Sequence, residues 1–494
     1  MICVCIGRGR HRHVRAEHAH LVEEGAKLVE LRLDYISGEV NLKRLLDDRP
    51  GPVLISCRRP ADGGKWSGTE AERLVLLRSA IAEGVEYIDI EDDVAGSIPR
   101  YGKTKRVISL HDFTKTPDDL EEIHARMSTM DADVIKLATM ANRPHDNVRM
   151  LNLIAKSDIP TLGMCMGDMG TPTRVLAARF GAPFTYATFH HERTLAPGQL
   201  SFKQMTEIYR YEQITKETEV YGVIADPIGH SLSPVIHNVA FQELELNKVY
   251  LPFRVPREEL SQFLQDCPDI GIRGLSVTIP HKESVLAHCT KVDPAVEGIG
   301  AANTLVFQDD QIIGYNTDYR AAMDSLAEVM KLPDQEKPLG GKTALILGAG
   351  GVAKAIAYGL TRRGANVIVA ARSPERATMF SETLNCKVID WELRHTLNAD
   401  ILFNCTPIGM HPNVDETPFE KNRLRPAMTV FDTVYNPEQT LLIKHAKEKH
   451  CVVVTGVDMF IRQAALQFQY FAGKPAPTDL MRDVLKRTIG PAKY

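Results

Sequence analysis

Lys136 is the residue of this sequence that is hardest to explain by structure alone. It stands between Ile135 and Leu137 in an apolar run, and an unpaired ammonium is costly to bury. A desolvated lysine amine is a nucleophile toward ketones, and a histidine such as His111 carries protons near neutral pH. Lysine and histidine among several arginines therefore predict Schiff-base chemistry on a small ketone that carries a carboxylate.

Further polar side chains follow short β-rich runs of the first half. Eight runs alternate with helix-like segments, at residues 2–6, 28–33, 53–57, 87–90, 106–110, 134–137, 161–164 and 184–187. This alternation predicts a parallel sheet, and eight units close a (β/α)8 barrel, with a doubly wound open sheet as the rival fold. Barrels place their chemistry at the carboxyl ends of the strands, where this chain has Glu30, Arg32, Arg58, Glu91, His111, Lys136, Arg174 and Gln199.

These residues also have structural interpretations. Glu30 and Arg32 could form an ion pair, and Lys136 could be a solvated strand end. The segments 69–83 and 118–130 are typical of barrel helices, and 202–214 predicts a last amphipathic helix. The polar stretch 215–219 then leads into a new strand at 220–224, which is a short connection between domains.

A glycine-rich turn in the second half indicates a different chemistry. An apolar strand at 343–347 leads directly into the turn, and an alanine-rich helical segment follows. Glycine lets the backbone approach a pyrophosphate, and the helix start offers free N–H groups and a positive dipole. This context predicts a dinucleotide-binding turn made by Gly348, Ala349, Gly350, Gly351, Val352 and Ala353.

The residues after the next strand indicate which dinucleotide binds. That strand, 366–371, ends where such folds meet the adenosine ribose. An acidic residue there favours NAD, but this chain has Arg372, Ser373 and Arg376, which favour the 2′-phosphate of NADP. A glycine turn with surface arginines around it is the structural alternative.

Two charged residues of the second half could serve ketone reduction. Lys282 stands just beyond a β-type run that ends at Pro280, and Asp318 follows a turn. A nicotinamide delivers hydride, and a charged side chain protonates the developing alkoxide. Ser233 precedes Pro234, so it could simply cap a helix, whereas Ser231 has no such explanation.

Whole-chain composition narrows the classes of protein. The 494 residues suggest about two to four domains. A net charge of −4 provides no basic field for nucleic acid or an anionic membrane. The nine cysteines form no C-x-x-C pair or zinc-type cluster, so we expect reduced thiols, no metal and a cytoplasmic protein.

The first half resembles type I 3-dehydroquinate dehydratase through seven ordered motifs. They are ELRLD (30–34), SCR (56–58), YIDIE (87–91), ISLHDF (108–113), DVIKLA (133–138), MGDMGTPTR (166–174) and APGQL (196–200). The resemblance implies that Lys136 forms an imine with the C3 ketone of dehydroquinate. It also implies that His111 removes the C2 proton and assists loss of the C1 hydroxyl, with Glu91 orienting His111.

The same resemblance implies the substrate contacts of this half. Glu30, Arg32, Arg58, Arg174 and Gln199 would hold the substrate hydroxyls and carboxylate, and the stretch 61–68 would close over them. One residue departs from the family pattern, which usually has serine four residues before the glutamine. This chain has Leu195 there, so we expect weaker substrate binding unless Thr194 or water replaces the lost hydrogen bond.

The second half resembles shikimate dehydrogenase through YGVIADPIGHSLSPVIHN (221–238), GLSVTIPHKE (274–283), GIGAANTLV (298–306), GYNTDYRAA (314–322), NCTPIGM (404–410), DTVYNPEQTLL (432–442) and GVDMF (456–460). The resemblance implies that Lys282 and Asp318 are the catalytic pair. It assigns the substrate carboxylate to Ser231 and Ser233, the ring hydroxyls to Thr278, Asn303 and Gln463, and a cofactor contact to Thr406.

The two resemblances imply one bifunctional chain that dehydrates 3-dehydroquinate and reduces the product to shikimate with NADPH. The expected domains are a barrel at 1–216, a substrate-binding domain at 220–324, a Rossmann domain at 325–458 and returning helices at 459–494. The alternatives are a quinate/shikimate dehydrogenase that uses NAD, a non-catalytic metabolite-binding regulator, or one active half beside an inert one. We expect small-molecule partners only, in a monomer or homodimer.

Overall fold

The chain forms two compact units. The computed structural model describes residues 1–229 and 231–490, with no side-chain description for residues 191, 374–377 and 379. The first unit contains Met1–Val220, Asp226–His230 and Asn247–Ile272, and the second contains Tyr221–Ala225, Ser231–Leu246 and Arg273–Tyr494. Among the described helices, none is both long enough and apolar enough to cross a membrane.

A parallel sheet of eight strands forms the centre of the first unit. The strands are β1 (Ile2–Ile6), β2 (Leu28–Arg32), β3 (Val53–Ser56), β4 (Tyr87–Glu91), β5 (Lys105–Asp112), β6 (Val134–Met140), β7 (Thr161–Met166) and β8 (Thr185–Thr188). They are hydrogen-bonded in the order β7-β6-β5-β4-β3-β2-β1-β8, so β7 and β8 are the edges of a nearly closed barrel. The predicted barrel strands are all confirmed, and the open doubly wound sheet is wrong for this half.

Helices lie between the barrel strands. They are α1 (His11–Glu23), α2 (Leu42–Leu46), α3 (Glu70–Ala82), α4 (Leu120–Ser128), α5 (His145–Lys156) and α6 (Thr171–Leu176). A capping box begins α3, because the Thr69 hydroxyl accepts from the Glu72 N–H while the Glu72 carboxylate accepts from the Thr69 N–H. The helices predicted at 69–83 and 118–130 are therefore confirmed, with slightly shorter bounds.

The predicted helix at 202–214 is wrong in its second part. One π-helical turn, Gln204–Ile208, ends the regular helix, and Arg210 then adopts a left-handed conformation with φ of 45°. Tyr209 and Tyr211 are both buried. Residues two apart on a continuous helix point to nearly opposite sides, so the break at Arg210 allows both rings to reach the interior.

The segment Asn247–Ile272 belongs to the first unit, although the sequence places a domain boundary before it. His145 Nδ1 on α5 lies 2.8 Å from Asp266 Oδ2, and Thr218 Oγ1 donates to Asn247 Oδ1 at 2.6 Å. Polar contacts with the barrel portion therefore tie this segment to the first unit.

The second half of the chain contains two six-stranded sheets. The first sheet has the order β10-β9-β11-β13-β14-β12 and the second has the order β17-β16-β15-β18-β19-β20. The strands of the first sheet are β9 (Glu219–Ala225), β10 (Lys248–Arg254), β11 (Ile272–Val277), β12 (Lys291–Val292), β13 (Thr304–Gln308) and β14 (Gln311–Tyr315). The helices along the same stretch of chain are α7 (Ser233–Glu243), α8 (Leu260–Asp266), α9 (Pro294–Ile299) and α10 (Asp318–Met330).

The second sheet is a doubly wound parallel sheet. Its elements are β15 (Thr343–Leu347), α11 (Gly351–Arg362), β16 (Asn366–Ala371), α12 (Pro374–Leu384), β17 (Lys387–Asp390), β18 (Ile401–Asn404), β19 (Thr429–Asp432), α13 (Leu441–Glu448) and β20 (Val452–Val454), followed by α14 (Gly456–Ala472) and α15 (Thr478–Ile489). Neighbouring strands are parallel, and the chain order reverses between β15 and β18. Dinucleotides bind at this reversal in such folds.

Burial on both faces explains the unbroken apolar run of β15. Ala344 and Ile346 pack into one buried cluster, and Leu345 and Leu347 pack into the cluster on the other face. A strand covered on both sides needs apolar side chains at every position. The strands predicted at 343–347 and 366–371 are confirmed, and the helix after the turn begins at Gly351, one residue before its predicted start.

Candidate active sites

A pocket at the carboxyl ends of the barrel strands brings together most of the residues predicted for the first half. Its lining includes Glu30, Arg32, Arg58, His111, Lys136, Arg174 and Gln199. Glu91, the remaining predicted residue, contacts Arg58 beside the pocket at 3.5 Å. The position agrees with the general location of chemistry in (β/α)8 barrels.

Lys136 is buried at the centre of this cluster and is paired with a carboxylate. Its Nζ lies 3.1 Å from Asp89 Oδ2 and 4.1 Å from the ring centroid of Tyr186. Asp89 also accepts hydrogen bonds from Arg58 and from Ser109 Oγ, the latter at 2.6 Å. Burial alone would raise the pKa of Asp89, but the charges of Arg58 and Lys136 hold it below its usual range. The carboxylate therefore stays charged beside the lysine.

His111 is held as a neutral imidazole. Burial lowers its pKa well below the usual value, and the nearby charges of Arg58 and Lys136 lower it further. Its Nδ1 lies 3.4 Å from Arg58 Nη1, and its ring stacks on Phe113 with 6.3 Å between ring centres. A neutral histidine next to a lysine amine can accept a proton from a substrate carbon bound between them.

Glu91 reaches His111 only by way of Arg58 in the described contacts. Arg58 lies 3.5 Å from Glu91 Oε1 and 3.4 Å from the histidine. The second oxygen, Oε2, accepts from Arg73 Nη1 of α3 at 2.7 Å. Burial raises the pKa of Glu91 despite these two arginines. The role of Glu91 in orienting His111 stays a prediction, and in the structure its carboxylate contacts the arginine that contacts the histidine.

The ion pair considered between Glu30 and Arg32 is replaced by a different one. Arg32 donates two hydrogen bonds, at 2.9 and 2.8 Å, to the carboxylate of Asp34. Glu30 Oε1 accepts from Ser56 Oγ at 2.8 Å, on the neighbouring strand. Because its charge is not neutralised by Arg32, the Glu30 carboxylate remains an acceptor for hydroxyl groups in the pocket.

Arg174 differs from the other two arginines of the pocket. None of the ion pairs within the described residues includes it, and its main partner is the carbonyl of Pro197 at 2.9 Å. Burial lowers the pKa of Arg174 to about 10. Gln199 fixes the adjoining segment, since its Oε1 accepts the N–H groups of Leu195 and Ala196 at 2.7 and 3.2 Å. A buried guanidinium without an acidic partner is suited to bind an anion from outside.

The loop 61–68 lies against this pocket. Asp62 and Gly63 contribute to the lining, and the Trp66 N–H donates to the Arg58 carbonyl at 3.1 Å. A Cβ on Gly64 would stand 2.0 Å from the same carbonyl oxygen, so no other residue fits there without rearrangement. The closing of this loop over substrate stays a prediction.

A second lysine–carboxylate pair forms the centre of the other site. Lys282 Nζ, beyond the end of β11, lies 2.5 Å from Asp318 Oδ2 at the start of α10. Their side chains are 12% and 6% exposed, so the pair is largely shielded from solvent. Asn316 Oδ1 accepts the Asp318 N–H at 3.0 Å, and this bond fixes the first turn of the helix that carries the carboxylate.

The predicted substrate-binding residues of this half lie on several elements. Thr278 follows β11, and Asn303 precedes β13 with its Nδ2 donating to Thr317 Oγ1 at 2.9 Å. Gln463 lies on α14 and donates to the Phe460 carbonyl at 3.1 Å. Ser231 precedes α7, and Ser233 is its first residue, with Leu232 at the capping position. The capping role considered for Ser233 is therefore wrong.

The glycine turn lies at the reversal of strand order, as a dinucleotide-binding turn requires. Gly348 has a φ of 103°, and a Cβ there would stand 3.0 Å from the Cys405 carbonyl and 3.1 Å from Thr406 Cγ2. A Cβ on Gly351, the first residue of α11, would stand 3.1 Å from Lys282 Cδ. These close contacts leave no room for a side chain at Gly348 or at Gly351, and a bare backbone turn beside the Lys282–Asp318 pair fits a pyrophosphate.

The adenosine-side residues are only partly described. Arg372 is exposed directly after β16, and Ser373 is half-buried at the start of α12. The side chain of Arg376 lies outside the described part of the chain. Thr406, after β18, donates to Asn404 Oδ1 at 2.6 Å, so its hydroxyl is fixed next to the turn.

Comparison with known proteins identifies both halves. Residues 2–216 match the type I 3-dehydroquinase family model, and residues 223–305 match the shikimate dehydrogenase substrate binding domain. The chain is 37% identical over 497 residues to the chloroplastic bifunctional 3-dehydroquinate dehydratase/shikimate dehydrogenase of Arabidopsis thaliana, covering 96% of this chain and 82% of that protein. The chain belongs to this bifunctional family. It is a 3-dehydroquinate dehydratase and an NADP-dependent shikimate dehydrogenase.

Further matches concern the shikimate dehydrogenase half. Residues 342–427 match an NADP oxidoreductase family model described as coenzyme F420-dependent, and residues 456–486 match the shikimate 5′-dehydrogenase C-terminal domain. The shikimate dehydrogenase (NADP⁺) of Methanopyrus kandleri is 40% identical over 287 residues, which are 55% of this chain and 96% of that protein. A crystal structure of a shikimate dehydrogenase in complex with NADP⁺ is 35% identical, with a TM-score of 0.51 over 56% of this chain and 98% of that one.

These comparisons confirm the family, the two activities and the cofactor expected from the sequence. They favour the bifunctional enzyme over an NAD-dependent quinate/shikimate dehydrogenase and over a non-catalytic regulator.

Sequence reasoning missed several polar residues in and beneath the dehydratase pocket. Asp89, Ser109 and Tyr186 lie within strands, where a polar residue is not distinguished by following an apolar run. The sequence of β4 could have indicated Asp89. Side chains of a strand alternate between its two faces, so Asp89 shares a face with Glu91 in an otherwise apolar run. In the dehydrogenase half, Asn316 and Gln467 were missed, and Gln467 Nε2 donates to the Asn303 carbonyl at 3.0 Å.

Proposed function

We propose that Lys136 forms the imine of the dehydratase reaction and that His111 transfers the proton. The observation that supports this proposal is a buried cluster of side chains. In this cluster Lys136 Nζ lies 3.1 Å from Asp89, and His111 is neutral. The lysine amine attacks the C3 carbonyl carbon of 3-dehydroquinate, and loss of water gives the imine. The cationic imine accepts the electron pair that remains when His111 removes the C2 proton.

The same histidine then completes the elimination in our proposal. The electron pair moves to form the C1–C2 double bond, and the C1 hydroxyl leaves as water with the proton from His111. Hydrolysis of the imine releases 3-dehydroshikimate and restores Lys136. Arg174 is the proposed anchor of the substrate carboxylate, because it is buried without an acidic partner. Glu30, Arg32, Arg58 and Gln199 complete the proposed substrate contacts, and Glu91 fixes Arg58.

The acid limb of the dehydratase pH profile should lie below pH 6.5, the ordinary value for histidine. Burial, Arg58 and Lys136 keep His111 neutral as the pH falls through 6.5, whereas the unfolded chain takes up a proton there. The depressed pKa therefore also makes the folded state lose stability as the pH falls below 6.5. The measurement is kcat/KM on 3-dehydroquinate against pH, with reduction of 3-dehydroshikimate by the same preparation as the control for unfolding. An acid limb at or above pH 6.5 would contradict this assignment.

We propose that Lys282 and Asp318 form the proton-transfer pair of the dehydrogenase site. Their 2.5 Å contact places an ammonium where it can protonate the oxygen of a ketone under reduction, with Asp318 holding it. Bound NADPH supplies the hydride. Ser231 and Ser233 are the proposed contacts of the substrate carboxylate, and Thr278, Asn303 and Gln463 are those of the ring hydroxyls. Proposed cofactor contacts are Gly348, Ala349, Gly350, Gly351, Val352, Ala353, Arg372, Ser373, Arg376 and Thr406.

Replacing Arg372 by alanine should raise the KM for NADPH about tenfold and leave the KM for NADH unchanged. The guanidinium is exposed directly after β16, where it can form charge-assisted hydrogen bonds with a 2′-phosphate that only NADPH carries. Initial rates of 3-dehydroshikimate reduction with each nucleotide give the two values. Arg362→Ala removes an exposed arginine from the end of α11 and serves as the control. Equal loss with both nucleotides would overturn the role of Arg372.

Domain limits and cellular setting also remain proposals. We propose the barrel at 1–216, the substrate domain at 220–324, the Rossmann domain at 325–458 and returning helices at 459–494. The free state of all nine cysteines supports a reducing compartment such as the cytoplasm, which imaging of the tagged protein would test. A monomer or homodimer is proposed for the assembly, to be tested by light scattering.

A further inference from the structure

Tyr186 carries a polar group that the dehydratase mechanism has not used. Its side chain is 2% exposed on β8, and its hydroxyl oxygen is buried without a hydrogen-bond partner among the described residues. A buried hydroxyl that forms no hydrogen bond costs stability. The aromatic ring could be kept by phenylalanine without this cost, so the hydroxyl group itself requires an explanation.

The position of the hydroxyl points to the substrate. Tyr186 lines the same pocket as Glu30, Arg174 and Leu195, and Lys136 Nζ lies 4.1 Å from the centre of its ring. The imine carbon becomes attached to that nitrogen, so the substrate ring must come to rest beside Tyr186. Burial raises the pKa of the tyrosine well above its usual value, which keeps the hydroxyl protonated and able to donate.

Leu195 lines the same pocket but offers the substrate no hydroxyl group. Its backbone N–H donates to Gln199 at 2.7 Å, but its side chain offers only carbon atoms to the pocket. The side chain is packed closely, since a Cβ on Gly7 would stand 2.8 Å from Leu195 Cδ2. It also packs against the buried cluster that contains Tyr186. Position 195 therefore gives the substrate no hydroxyl, while a neighbouring side chain holds an unused one.

We propose that the Tyr186 hydroxyl is a substrate-binding group of the dehydratase, which donates a hydrogen bond to a ring hydroxyl of 3-dehydroquinate and replaces the donor that Leu195 lacks. This inference rests on the proposed function of the Lys136 pocket. Tyr186 takes no part in proton transfer in this arrangement. Its hydroxyl contributes to affinity and to the choice of hydroxylated cyclic ketones over ketones without ring hydroxyls.

The Tyr186→Phe variant of the full chain tests the inference, because it keeps the ring beside Lys136 and removes only the hydroxyl. We expect the KM for 3-dehydroquinate to rise about three- to tenfold, as for loss of one hydrogen bond, with kcat within about twofold. The midpoint of thermal unfolding of the ligand-free variant should be equal or higher, because an unpaired buried hydroxyl has been removed. A purely structural hydroxyl would give a lower midpoint instead, and that result would overturn the inference.

Two further variants make the test specific. Tyr211→Phe changes a buried tyrosine outside the pocket and should leave KM unchanged. Leu195→Ser should recover most of the affinity lost in Tyr186→Phe, because it adds a hydroxyl to the lining of the same pocket. An unchanged KM in Tyr186→Phe, or no recovery by Leu195→Ser, would overturn the inference. A dehydratase that stays active after Lys136→Ala would instead overturn the proposed function of the pocket, so the two failures are distinguishable.

Discussion

Lys136→Ala should abolish dehydration of 3-dehydroquinate, with a loss of about 10³-fold or more, and leave reduction of 3-dehydroshikimate unchanged. No other amine lines the pocket among the described residues, so the imine cannot form elsewhere in it. Arg58 still pairs with Asp89 in the variant, so the cluster keeps a charge to balance the buried carboxylate. The lost activity should therefore reflect the missing nucleophile and not a collapsed barrel.

Borohydride trapping gives this prediction a direct chemical measurement. Reduction of the imine links the substrate to the protein, and peptide mass analysis should place the added mass on Lys136 in the unaltered chain and nowhere in the variant. Lys105→Ala is the matched control, since Lys105 is exposed at the amino-terminal end of the neighbouring strand β5. An adduct on another lysine, or activity retained in Lys136→Ala, would show that this assignment is wrong.

Lys282→Ala should lower kcat for reduction of 3-dehydroshikimate by about 10² to 10⁴ and leave the dehydratase intact. Lys282 Nζ lies 2.5 Å from Asp318 and is the proposed proton donor, so the developing alkoxide should lose its proton source. Asp318→Asn should also lower kcat, and the double variant should be little worse than Lys282→Ala because the two side chains act as one unit.

One reaction distinguishes the possible results. With 3-dehydroquinate and NADPH, the unaltered chain should consume NADPH, while Lys282→Ala should accumulate the conjugated enone without loss of NADPH. Lys354→Ala is the control, because Lys354 is equally buried, at 12% exposure, and pairs with Glu283 at 2.9 Å. Equal damage from both lysine variants would mean that general disruption of the cleft, rather than proton transfer, explains the result.

Sequence patterns were sufficient for residues whose position follows from the period of a strand. His111 and Arg58 were identified because they follow apolar runs, whose carboxyl ends meet at one edge of a barrel, and Lys136 was identified as a lysine inside such a run. Asp89 and Tyr186 were missed because they lie one or more residues inside their strands, where a buried polar group is normally assigned to structure.

Other features depend on three-dimensional packing and are not encoded in any local pattern. Arg58 could have paired with several carboxylates, and only the folded barrel shows that Asp89 and Glu91 share it. The break at Arg210 is of the same kind, since the residues around it have helical composition and the burial of two tyrosines decides their conformation.

The close approach of Gly351 to Lys282 predicts which step a mutation of this glycine would impair. A methyl group on Gly351 would stand 3.1 Å from the aliphatic stem of the lysine. Gly351 belongs to the proposed nucleotide-binding turn, yet a larger residue there would first displace Lys282, the proposed proton donor. Inherited or engineered changes at this position would thus disturb the chemistry of the ketone even where the nucleotide still binds.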